Sequence, residues 1–173
     1  MDTKRVDSLY KTKLAFFTLL TSLSLVGVYR LYSQYNVWKS DDFGKFLLPD
    51  YQEHYFLFYA IRMLAPFLIS VGVSFFMVWG LRWSNKKFKG NFFEQEEPYL
   101  AAIVILIIGY PALLFYFLVL GAVYLVWHIS SYIRFRKETR LSLYNLWVFA
   151  GLATLILSKY WLIDTSIWPI LKL

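Results

Sequence analysis

The sequence predicts an all-α, multi-pass integral membrane bundle, a single membrane domain over residues 1–173 with about five membrane segments. Three observations predict it. The chain is 59% hydrophobic and 21% aromatic over 173 residues, more apolar surface than one soluble core of that size can hide. Its apolar runs reach or exceed the roughly 18 residues that need lipid as solvent. Its charges sit in short blocks between those runs, as in loops on the two sides of a bilayer.

The first segment covers about 14–38, behind the basic opening "MDTKRVDSLYKTK". It is too long for a signal peptide, and no small-x-small cleavage site follows, so it reads as an uncleaved helix. The loop "KSDDFGKFLLPDYQEH" carries Asp41, Asp42, Asp50 and Glu53 against Lys39 and Lys45. The second segment is 55–81, followed by "RWSNKKFKGNFFEQEEP", basic and then acidic.

Residues 98–133 form a charge-free run of 36 residues. As helix it would reach about 54 Å, against about 30 Å for one crossing and about 60 Å for two. Gly109-Tyr110-Pro111 divides it into 98–109 and 111–133. Pro111 has no amide to donate and disfavours helical geometry at Tyr110, while Gly109 tolerates a positive φ. A helical hairpin with a short first leg and a single kinked helix both remain open. After "RFRKETR" the last segment covers about 141–163, where Tyr160, Trp161 and Trp168 suit a headgroup belt.

The positive-inside rule orients these segments. The basic N-terminus, Arg82–Lys89 and "RFRKETR" all lie on the cytoplasmic side only if 98–133 enters and leaves on the same side. That topology puts the acidic 39–54 loop and the C-terminus outside. The net charge of +7 then reflects topology and anionic headgroups, and no nucleic-acid partner is expected. The expected partners are the lipid bilayer and other membrane subunits.

Chemistry is sparse. There is no cysteine, which excludes disulfides, thiolate metal sites and iron–sulfur clusters. His54 and His128 fall short of a zinc set and are expected near opposite faces, so no metal and no cofactor is expected. Arg30 and Arg62 stand inside apolar segments and are expected near their outer ends, snorkelling or paired with Asp41, Asp42 or Glu53. The small residues Gly72, Ser74, Gly121 and Ala122 are expected at helix contacts. "EQEEP" combines carboxylates and Pro98 at a helix start, which is an ordinary capping pattern. It also offers Glu97 as a carboxylate at the membrane surface for acid–base work.

"EEPYLAAIVILIIGYPALLFYFLVLGAVYLV" followed by "RFRKETRLSLYNLWVFAGLATLIL" resembles the C-terminal half of the type IV prepilin peptidases in the order and lengths of its parts. In that family a cytoplasmic GxGD motif opens the short helix. Here Glu96-Glu97 stand in place of Gly-Asp and Tyr99 in place of the usual lysine. "DFGKFLLPD", from Asp42 to Asp50, imitates the spacing of the family's other aspartate, but lies on the outer side. The resemblance covers residues 82–157 and implies a shortened relative without the peptidase motif; Glu97 and Asp42 are the catalytic positions to test. The expected function is a non-catalytic integral subunit or assembly factor of a membrane complex, with secretion or pilus assembly as a setting. A membrane carboxylate protease and a small transporter are the alternatives.

Overall fold

A computed structural model of the chain describes residues 3–88, 93–135 and 144–160. Among these residues there are five α-helices: α1 (Thr3–Ser40), α2 (Glu53–Lys87), α3 (Glu97–Ile108), α4 (Ala112–Phe135) and α5 (Tyr144–Tyr160). One 3₁₀ turn, Gly44–Leu47, lies in the loop between α1 and α2. No strand occurs among the described residues. The fold is therefore an all-α bundle, and α1, α2 and α4 are each long and apolar enough to cross a membrane.

The described helices overlap the expected segments, with 141–143 and 161–163 of the last one outside the described residues, and α1 and α2 run further than their apolar cores. α1 begins well before Leu14 because "TKRVDSLYKTK" contains no glycine or proline to stop it, and Lys11 closes a 2.8 Å ion pair with Asp7 one turn earlier. α2 absorbs Pro66 in its interior. The Ser70 hydroxyl donates to the Pro66 carbonyl at 2.8 Å one turn later.

The shortest apolar helix is the centre of the molecule. α3 has 12 residues, about 18 Å of helix, too short to cross hydrocarbon. Ala101, Ala102 and Ile105 are fully buried, and Tyr99, Val104 and Leu106 nearly so. One side of α3 packs on Phe16, Leu19, Leu20 and Leu23 of α1. Another packs on Val73, Met77 and Leu81 of α2 and on Trp147 and Ala150 of α5. Lipid tails are as apolar as these side chains, so close packing and hydrogen bonds hold α3 in place rather than water exclusion.

The partners of α3 fix its depth. It runs antiparallel to α2: Tyr99 lies under Arg82, the Ala102 carbonyl accepts from Ser74 at 3.3 Å, and the Tyr110 amide donates to Ser70 at 2.9 Å. Ser70 is the midpoint of α2, which runs from Glu53 to Lys87. α3 thus climbs from one end of α2 to its middle and stops.

The break falls at Gly109–Pro111, as the sequence predicts. Gly109 has φ 67°, and the Tyr110–Pro111 peptide is cis. The Gly109 amide still donates to Ile105 at 3.0 Å, and its carbonyl accepts from Leu113 at 2.9 Å. With the Ser70 bond, these contacts satisfy a turn that lipid could not. α4 leaves the turn to pack mainly on α5 rather than back along α3. A hydrogen bond of 3.3 Å from the Tyr116 hydroxyl to the Trp147 carbonyl ties α4 to α5.

Candidate functional site

Polar side chains gather at the two ends of α3. At its start Ser8 of α1 donates to Glu96 at 2.6 Å. Arg82 of α2 lies 5.2 Å from the Tyr99 ring centroid, within cation–π range. Asn85 clamps the approach to α3, exchanging bonds of 2.9 and 2.8 Å with the Phe93 backbone. Between these groups Glu97 occupies the first turn of α3 and is only 1% exposed. Glu97 is thus covered by protein rather than exposed. Pro98 and the half-buried Glu96 flank Glu97, and the helix turns it inward while Glu94 stays exposed.

At the other end Ser70 accepts from the Tyr110 amide while donating to Pro66. One turn on, Ser74 is fully buried and donates to Ser70 and Ala102 carbonyls. These hydroxyls satisfy backbone groups inside an apolar bundle, which is a structural task.

The two carboxylates singled out in the sequence do not meet. Glu97 lies beside Glu96, whose partner Ser8 stands near the start of α1; Asp42 lies just beyond the last residue of that helix, Ser40. The 32 residues from Ser8 to Ser40 span about 48 Å of helix. Asp42 is exposed and contacts Lys45 at 3.3 Å. Its neighbour Asp41 has the structural role, accepting the Gly44 amide at 2.8 Å. A shared two-carboxylate centre is thus excluded by geometry.

Arg30 and Arg62 are both exposed, and among the described residues neither forms an ion pair. The pairing with Asp41 or Asp42 is not found there, and the Glu53 side chain lies outside the described residues. Gly72 and Gly121 are also corrected: a methyl group at either would meet nothing within 4 Å. The close helix contact is at Gly151 of α5, where an added Cβ would lie 2.6 Å from Val104 Cγ1. That glycine was legible only as one small residue among several in the last segment.

His54 and His128 stand near the start of α2 and in the second half of α4, and the His128 ring stacks on Tyr124 at 5.9 Å. No group of three or more His, Asp or Glu suited to a metal occurs among the described residues. Arg136, Trp161 and Trp168, used in the topology and belt arguments, lie outside the described residues. No family model, curated protein or solved structure matches the chain.

Proposed function

We propose that this membrane protein is a non-catalytic subunit or assembly factor of a membrane protein complex. The observation that carries the reading is the aromatic surface at the α1–α2 end of the bundle. Beyond Arg30 and Arg62 these helices continue for about nine or ten residues, roughly 15 Å. There they hold each other through Trp38–Phe56 and Trp38–Tyr59 ring contacts at 5.8 and 5.1 Å. The collar leaves Phe43, Phe46, Tyr51, Tyr55 and Phe58 exposed, Phe43 by 83%. Aromatic surface outside the most apolar part of the helices suits a protein interface.

In this reading the Glu96 end of the bundle faces the cytoplasm and the collar faces outward, with the basic blocks on the inner side. The prepilin-peptidase resemblance points to secretion or pilus assembly as the setting. No observation favours the protease, whose two carboxylates lie at opposite ends of α1, or the transporter. The test is purification from native membranes in mild detergent. A stoichiometric membrane partner is expected, lost when Phe43 and Phe58 are changed to serine while the helical spectrum is unchanged. A lone monodisperse chain, or a partner indifferent to both changes, would overturn the proposal.

A further inference from the structure

Arg30 and Arg62 come from different helices but share one level. Around them α1 and α2 are pinned in antiparallel register. A Cβ at Gly27 would touch Leu64 Cδ2 at 3.5 Å, and the Tyr59 hydroxyl donates to Gln34 at 3.4 Å. Arg30 stands four residues before Gln34 and Arg62 three after Tyr59, so each lies one turn from that bond, on its α3 side.

The level is that of a headgroup plane. From Arg62 down to Arg82 there are 20 residues of α2, and from Lys13 up to Arg30 there are 17 of α1. These intervals correspond to about 30 and 26 Å of helix, close to one hydrocarbon thickness of about 30 Å. The stretches between, "LAFFTLLTSLSLVGVY" and "MLAPFLISVGVSFFMVWGL", carry no charge. Beyond the arginines come Tyr32, Tyr35 and Tyr59, the residue type of an interfacial belt. Lys11, Lys13 and Arg82 mark the opposite boundary.

Two exposed guanidinium groups at that level, with no acidic partner among the described residues, leave both forks open to an anion from outside the chain. We propose that Arg30 and Arg62 together bind the phosphate of a phospholipid headgroup, in the leaflet opposite the Glu96 end of the bundle. Guanidinium forks match phosphate oxygens and are weakly hydrated, which suits arginine over lysine at a lipid–water boundary. Phosphatidylglycerol keeps the net negative charge of its phosphate, which choline cancels in a zwitterionic headgroup, and is therefore preferred. The inference rests on the register and depth of α1 and α2, not on the subunit reading.

The test uses the full chain in detergent with added short-chain phosphatidylglycerol or phosphatidylcholine, and native mass spectrometry to count retained lipid. Phosphatidylglycerol is expected to be retained over phosphatidylcholine, and R30Q/R62Q should lower its retention about tenfold through loss of charge-assisted contacts. R30K/R62K should recover part of it. K39Q/K45Q, which removes the same charge from the collar, should not lower it. Millimolar inorganic phosphate should not displace the lipid, which separates a headgroup site from a free-phosphate site. Equal retention by R30Q/R62Q and the unaltered chain would overturn the proposal. So would loss of a co-purifying protein, with lipid retention intact, since the arginines would then face an acidic partner subunit.

Discussion

Replacing Gly151 with alanine puts a methyl group 2.6 Å from Val104 Cγ1 and 3.7 Å from Ile108 Cδ1. Val104 is β-branched on a helix, so its χ1 has little freedom to swing the methyl aside. It is also nearly buried, in the cluster that joins α3 to α5. Relief therefore requires α3 and α5 to separate, and overpacking of this kind costs about 1–3 kcal/mol. G151A should lose about that much stability when the detergent-solubilised protein is unfolded by increasing fractions of dodecyl sulfate and followed by circular dichroism. In a V104A background the obstructing methyl is gone, and the same G151A change should be nearly neutral. The cycle should thus show a coupling of about 1–3 kcal/mol, within the usual range for residues in contact. G72A is the control: nothing lies within 4 Å of the added methyl, and better helix propensity should stabilise by roughly 0.5–1 kcal/mol. A G151A variant as stable as G72A, or a cost unchanged by V104A, would refute the close α3–α5 crossing.

Four further outcomes follow from the same contacts. S70A removes the acceptor of the Tyr110 amide at mid-helix, so it should cost about 1–3 kcal/mol and speed hydrogen exchange at Tyr110. R82A loses the cation–π contact with Tyr99 and should cost about 0.5–1 kcal/mol in the same titration, this being an exposed arginine. D42N, which loses only an exposed contact with Lys45, should fall within about 0.5 kcal/mol of the unaltered chain. D41A frees the Gly44 amide from its 2.8 Å partner and should cost more, about 0.5–1.5 kcal/mol.

Helix positions were readable because each apolar run is bounded by charge, and the Gly109–Pro111 break because glycine and proline limit backbone geometry directly. The choice of α3 as the core was not readable. "AAIVILII" is apolar on every side, so periodicity assigns it no face, and a helix too short to span reads as the weakest member of the set. Its burial follows from Ala101 and Ala102, which let α1 and α2 approach, and from the Ser70 and Ser74 hydroxyls. Ser74 was expected at a helix contact, which it makes; Ser70 carried no signal in the sequence. The burial of Glu97 was not readable for a related reason: a carboxylate beside proline at a helix start is normally solvated, and its cover comes from tertiary packing. The exposed positions of Arg30 and Arg62 followed from helix length alone. Their shared level did not, because register between α1 and α2 depends on the loop that joins them.

The half-crossing of α3 is the claim on which the depth of every other group rests. The chain has no cysteine, so single spin labels can be placed at Y110C and Q95C in otherwise unaltered protein and reconstituted in bilayers. Their depths follow from relative collision rates with oxygen and a nickel chelate. Y110C should report a position about 12–18 Å from either boundary, the helix rise from Ser70 to Arg62 and to Arg82, with Q95C at the polar edge. A water-exposed label at 110, or one at 95 as deep as that at 110, would contradict the account.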